Sequence, residues 1–169
     1  MKSALQIIAA FLVAAGCAVG DAGELPRRPF PGFALETFVG DSLSLADLRG
    51  KVVLVTIWTS WCPACRTELP VLDSLPGTLS HPDFAVIGIN EDLKEDAGRG
   101  FARALGLRMP IPAGRGRLRE SMGYTGIPYT ALLDREGRVI LEYYGWPGRK
   151  AFDEVVAGRA MAELRDGAR

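Results

Sequence analysis

The sequence predicts an α/β domain: a central mixed β-sheet flanked by helices, with a β-hairpin added at the N-terminus. Three stretches predict it. Val52–Trp58 is apolar and mostly β-branched apart from Thr56, as in a strand buried on both faces. It runs directly into Cys62-Pro63-Ala64-Cys65, where proline holds a first helical position. Residues 84–89 read as a second buried strand followed by a helical pattern. Tyr129–Leu133 and Arg138–Tyr144 read as a hairpin joined across residues 134–137. With 169 residues and no internal repeat, one domain is expected. Equal numbers of basic and acidic residues, 20 of each, exclude the basic excess of a nucleic-acid binder.

The chain opens on Met1-Lys2 and an apolar run over residues 4–15, then Ala14-Ala15-Gly16 and Cys17. Residues 1–16 read as a signal peptide for export. The ending Ala-Ala-Gly-Cys resembles a bacterial lipoprotein box. That resemblance implies lipidation of Cys17 and a domain held on the extracytoplasmic, periplasmic side of a membrane. A cleaved secreted chain and an uncleaved anchor are the alternatives. Residues 17–29 carry breakers and no apolar periodicity, which suits a lipid-anchored tether, and residues 30–169 form the domain.

Phe33, Leu35 and Phe38, followed by Gly40-Asp41, suit an entry hairpin. Ser44 can cap a short helical turn through Asp47, with Gly50 ending it. At the end of Val52–Trp58 the chemistry begins. A helix N-terminus leaves backbone N–H groups unpaired and carries partial positive charge. A cysteine there is easier to deprotonate, and thiolate is the form that attacks disulfides. Cys65, at i+3 from Cys62, shares a helical face with it and can close a short disulfide. Glu68 lies one further turn along that face, where a partly desolvated carboxyl would have a raised pKa and could trade protons with Cys65. The alternative for Glu68 is a solvated helix position. The helix is expected over residues 63–75, with Leu69, Leu72 and Leu75 inward, a kink at Pro70 and an end at Pro76-Gly77.

Trp61-Cys62-Pro63-Ala64-Cys65 after a hydrophobic strand resembles the active site of thioredoxin-fold proteins. The lead-in from Phe33 to Val55 and the run Cys65-Arg66-Thr67-Glu68-Leu69-Pro70 resemble the TlpA/ResA-like branch of that fold, within the redoxin family. The resemblance covers about residues 30–164. It implies a thioredoxin-like fold and extracytoplasmic thiol-disulfide oxidoreductase activity. Cys62 and Cys65 would be the redox-active disulfide, Cys62 the exposed sulfur and Cys65 the shielded one, with Glu68 in the active site. Gly126-Ile127-Pro128 resembles the element whose cis-proline faces the disulfide. This implies a cis bond before Pro128 and a substrate groove made by Trp61, Pro63, Ile127 and Pro128. In the family a small hydroxyl residue is common where Tyr129 stands, and classical thioredoxin has a buried Asp at the place of Thr56. The resemblance further implies client proteins with a disulfide or cysteine pair, such as apocytochrome c or copper-centre assembly proteins. Electrons would come from a membrane thiol donor, and no cofactor or metal is needed.

Further along, residues 93–105 read as a helix with Leu93, Ala97, Phe101 and Leu105 on one face. Gly98 and Gly100 weaken it by about 1 kcal/mol each. Glu91, Asp92, Glu95 and Asp96 read as a solvated face. Arg108, Arg115, Arg117 and Arg119 read as basic surface or a docking patch for an acidic partner. Leu118–Met122 suits a helical turn. The final helix spans residues 149–164, with Phe152, Val155, Val156, Ala160 and Leu164 inward. His81, the only histidine, reads as a surface residue away from the cysteines.

Rival readings of the cysteine pair are each short of a part. Zinc needs two more ligands. A copper-binding assembly factor wants C-x-x-x-C and a later histidine. A peroxiredoxin-like thiol peroxidase wants a Pro-x-x-x-Thr loop, and Thr56–Trp61 is not one. A purely structural disulfide across so short a loop contributes little stability.

Overall fold

The computed structural model describes residues 27–166. The strands are β1 (Arg28–Pro29), β2 (Ala34–Glu36), β3 (Ser42–Ser44), β4 (Val52–Trp58), β5 (Phe84–Asn90), β6 (Tyr129–Leu133) and β7 (Arg138–Tyr144). The helices are α1 (Pro63–Leu79), α2 (Glu95–Leu105), α3 (Leu118–Met122), α4 (Arg149–Phe152) and α5 (Gly158–Asp166). A π turn (Asp153–Ala157) joins the last two. The main sheet has the order β1-β7-β6-β4-β5, and β2-β3 form a separate hairpin. β4 is an inner strand, parallel to the edge strand β5 and antiparallel to the central β6. Every residue of β4 and β6 is buried, which is why both read as near-continuous apolar runs.

Alternation along β4 divides the core in two. Val52, Leu54 and Trp58 face Leu69, Leu72 and Leu75 of α1, with Phe152, Val156, Ala160 and Leu164 of the C-terminal run. Val53, Val55 and Ile57 face the other way, onto Phe30, Phe33, Leu45, Leu48, Met122 and Tyr124. That second face is covered by the N-terminal segment and the short α3 rather than by long helices. Ser44 is not the N-cap: the 3₁₀ turn (Ala46–Leu48) is capped by Leu45 without a side-chain bond, and instead the Ser44 N–H and hydroxyl donate to Asp47 Oδ2 at 2.8 and 2.6 Å.

Several expectations are corrected. The tether boundary at residue 29 is too late, since Arg28 and Pro29 pair with Val139 and Arg138 at the edge of β7. Arg27 also donates to Asp134 and Glu163. α1 passes Pro76 and ends at Ser80, whose left-handed backbone N–H closes on the Pro76 carbonyl at 3.0 Å. A proline in the last turns costs one N–H donor and need not end the helix there. Leu93 precedes α2 and is 83% exposed. Val155 is 53% exposed, while Phe152, Val156, Ala160 and Leu164 are buried. A strict spacing of four is better served by an underwound π turn than by 3.6 residues per turn, and it leaves Val155 outward. Residues 1–16 and Cys17 lie outside the described residues. Among the described residues, no helix is long and apolar enough to cross a membrane.

Candidate active site

The chain leaves the C-terminal end of β4 and turns through Thr59, Ser60 and Trp61 into α1. Cys62 is the N-cap, with an extended backbone (φ −85°, ψ 111°), and Pro63 is the first helical residue. The Cys62 sulfur accepts the Cys65 backbone N–H at 3.1 Å, so sulfur does here what a Ser or Asp oxygen commonly does. No carboxylate stands in the first turn of α1 to oppose a negative charge on that sulfur. Cys62 and Cys65 are joined in a disulfide, their Cα atoms 5.3 Å apart.

Cys62 was expected to be the exposed sulfur. The residue keeps only 4% of its surface and Cys65 none, so both are buried in the oxidised protein. Bonding to Cys65 and accepting its N–H draw the Cys62 sulfur inward. The accessible neighbours are Trp61, 70% exposed, and Pro63.

The Ile127–Pro128 bond is cis. Tyr129 pairs with Ile57, so this bond sits at the same end of the sheet as the turn into Cys62. Ile127 is half-buried and packs on the cluster that contains both cysteines. His81 is half-buried, before β5 and at the opposite end of the sheet.

Glu68 is fully buried between α1 and the sheet. Its Oε1 accepts the hydroxyls of Thr130 at 2.9 Å and Tyr143 at 3.0 Å, and its Oε2 accepts Thr56 at 3.4 Å. Burial pushes its carboxyl up, the three hydroxyls pull it partway back, and the result is about 7. Sequence reasoning located Glu68 but missed Thr130 and Tyr143. The signal for them was the hairpin: folding it at residues 134–137 brings Thr130 opposite Tyr143.

The turn before Cys62 has a second buried support, also missed. Glu91 and Asp92, expected in a solvated face, are 6% and 5% exposed. Asp92 accepts the Ser60 N–H at 2.9 Å, the Ser60 hydroxyl at 3.0 Å and the Asn90 side-chain amide at 2.8 Å. Glu91 Oε2 accepts the Tyr124 hydroxyl at 2.9 Å and the Leu118 N–H at 3.2 Å. Two glycines make room. A Cβ at Gly98 would lie 2.4 Å from Asn90 Oδ1, and one at Gly114 would lie 1.7 Å from Glu91 Oε1. The helix-weakening Gly98 is thus explained by close packing.

Tyr129, in place of the small hydroxyl residue, is 2% exposed and donates to Glu142 Oε2 at 2.5 Å. It stacks on Tyr124 and packs against Tyr144, with ring centroids 6.3 and 5.1 Å apart. Of the basic loop, Arg115 is bound to Glu36 and Glu95.

A disulfide across the N-cap and first turn of a helix, after a buried strand and at the same end of the sheet as a cis-proline, defines a thioredoxin-fold thiol-disulfide oxidoreductase. Similar proteins carry that name. A thiol:disulfide interchange protein DsbE of Pseudomonas fluorescens biotype C is 37% identical over 145 residues, covering 80% of this chain and 75% of that protein. A thiol-disulfide oxidoreductase ResA of Bacillus thuringiensis subsp. konkukian is 26% identical, covering 75% of this chain and 73% of that one. The crystal structure of a candidate DsbE from Chlorobium tepidum superposes with a TM-score of 0.75 at 28% identity, covering 82% of this chain and 96% of that one. The chain belongs to the AhpC/TSA family, whose model matches residues 26–160.

Proposed function

We propose that this protein reduces disulfides of client proteins outside the cytoplasm, with Cys62 as nucleophile and Cys65 as resolving thiol. The observation that carries the reading is the N-cap position of Cys62, where its sulfur accepts a backbone N–H and no first-turn carboxylate opposes its charge.

In the reduced protein the Cys62 thiolate attacks one sulfur of a client disulfide. A protein–client disulfide forms and one client thiolate leaves. Cys65 then gives its proton to the Glu68 carboxylate and attacks the Cys62 sulfur. The Cys62–Cys65 disulfide closes, and the second client sulfur leaves as thiolate. The client gains two electrons and the protein loses two. A membrane thiol donor returns them by the reverse exchange. A Glu68 carboxyl at about 7 is suited to taking and releasing that proton near neutrality. Trp61 and Pro63 flank the sulfur, and the Ile127 backbone beside Pro128 pairs with an extended client segment. The similarity to DsbE and ResA supports this reading. Clients of the apocytochrome c or copper-centre assembly kind fit it, as exposed cysteine pairs in extended chains.

Residues 1–16 act as the export signal, Cys17 carries the lipid, and the residues up to Arg27 tether the domain. This rests on the sequence of the leader.

The test is a trap. Cys65→Ser should accumulate clients on Cys62 as mixed disulfides in the exporting host, and Cys62→Ser should not. Accumulation with Cys62→Ser alone would reverse the two roles.

A further inference from the structure

Glu68 is sealed from solvent, yet a carboxyl that collects a proton from Cys65 on every turnover must also release it. Its surroundings offer few exits. The hydroxyls of Thr56, Thr130 and Tyr143 lie on three adjacent strands at matched positions. Thr56 pairs with Thr130 across β4 and β6, and Thr130 pairs with Tyr143 across β6 and β7. Residues in register on neighbouring strands point to one face, so this is a polar row across an otherwise apolar surface. All three oxygens converge on Glu68, and the Thr130 and Thr56 hydroxyl oxygens lie 3.0 Å apart. Thr56 and Thr130 are fully buried, as Glu68 is. Tyr143 alone of the three is partly exposed, at the end of the row toward the sheet edge.

The geometry points to Tyr143 as the relay that carries protons between the buried Glu68 carboxyl and solvent. The inference rests on the proposed exchange of a proton between Cys65 and Glu68. Once Glu68 is protonated, its O–H passes the proton to Tyr143 Oη as the phenol releases its own proton to water. Charge and atoms balance, and the phenol is restored. The groups bonded to Glu68 are these three hydroxyls, and Cys65 lies one turn before it on α1. Burial and the hydroxyls account for its titration, with no charged side chain among the causes. Tyr143 faces Glu68 and Thr130. The neighbouring Glu142 is engaged with Arg28 and Tyr129 instead. The two threonines set the carboxylate's orientation, but being sealed they have no water to exchange with.

The test follows the reaction of the reduced protein with a dithiobis-nitrobenzoate disulfide by stopped flow. Attack by Cys62 releases the first thionitrobenzoate and resolution by Cys65 the second. Tyr143→Phe keeps the ring and deletes the relay. It should leave the first release unchanged and slow the second by about tenfold near pH 7, a modest share of what positioned proton transfer supplies. The solvent deuterium effect should grow and the pH midpoint of the second phase should rise. Tyr143→His, which can donate and exchange a proton, should recover the rate to within about threefold. In a Glu68→Gln background, Tyr143→Phe should add nothing. A Tyr143→Phe second phase with wild-type rate and midpoint, while Glu68→Gln is slow, would overturn the relay alone. An unaltered second phase in Glu68→Gln would overturn the Glu68 reading and the relay with it.

Discussion

Glu68 and Asp134 are both fully buried carboxylates in this domain, one at each end of the sheet, and they are held in opposite ways. Glu68 meets only neutral hydroxyls, and burial carries its carboxyl up to about 7. Burial raises Asp134 too, but it accepts the Arg138 backbone N–H at 2.8 Å, the Arg138 guanidinium at 2.7 Å and Arg27 at 3.2 Å. Those bonds outweigh burial and hold Asp134 below the usual carboxylate range. It also ties the Glu136 N–H in the turn of the β6–β7 hairpin. Burial alone therefore does not set a carboxylate's charge; the backbone and side-chain hydrogen bonds and the charges it meets decide it too. A carboxylate clasped by guanidinium groups is part of the frame. One left among hydroxyls stays free to change state.

The contrast can be broken by exchanging losses. Glu68→Gln should slow client reduction near neutral pH by about a hundredfold, the low end for positioned acid–base groups, whereas Asp134→Asn should leave the rate of the folded protein unaltered. Enzyme assays at a temperature where both variants are folded decide it. In urea unfolding near pH 7 the order should reverse, with Asp134→Ala losing about 3 kcal/mol as two guanidinium groups and two turn N–H groups lose their acceptor.

The pH dependence sharpens the point, because the signs differ. A raised carboxyl in the folded state means that the native protein holds the Glu68 proton more tightly than the unfolded chain. Wild-type stability should therefore fall as pH rises from about 4.5 to about 7. Glu68→Gln should remove that fall and be more stable than wild type by roughly 3 kcal/mol at pH 8, with no comparable gain at pH 4. Asp134 contributes in the other direction. Its stabilisation is present above the ordinary Asp range, about pH 4, and is lost as pH falls through its depressed native value, so wild type and Asp134→Asn should converge in acid. The smallest effect belongs to Arg27→Ala. About a third of that side chain is exposed and Arg138 remains, so the loss should be about 0.5 kcal/mol, readable as a small shift of the urea midpoint.

The sequence was most legible where a strand is buried throughout or an element is bounded by turn glycines. β4 and β6 have the bounds their residue patterns imply, because a strand covered on both faces ends where its composition changes, and β7 and α3 do because glycine turns flank them. The cysteine pair, Glu68 and the Ile127–Pro128 element were legible because motif and spacing place them. Asp92 and Glu91 were not, since what buries them arrives from far along the chain: Ser60 is 32 residues before Asp92 and Tyr124 is 33 residues after Glu91. Charged residues after a strand look solvated until those partners fold over them. Tyr143 was hidden for a related reason, because its role depends on register across three strands.

The chain enters the sheet at one end and carries its chemistry at the other. Arg28 and Pro29 pair with the first residues of β7, beside the 134–137 turn, while the far end of β7 reaches Tyr144, opposite Tyr129 and next to the cis bond. Six steps of a strand span about 20 Å. The cysteine pair therefore lies at the end of the sheet away from where the described chain enters it.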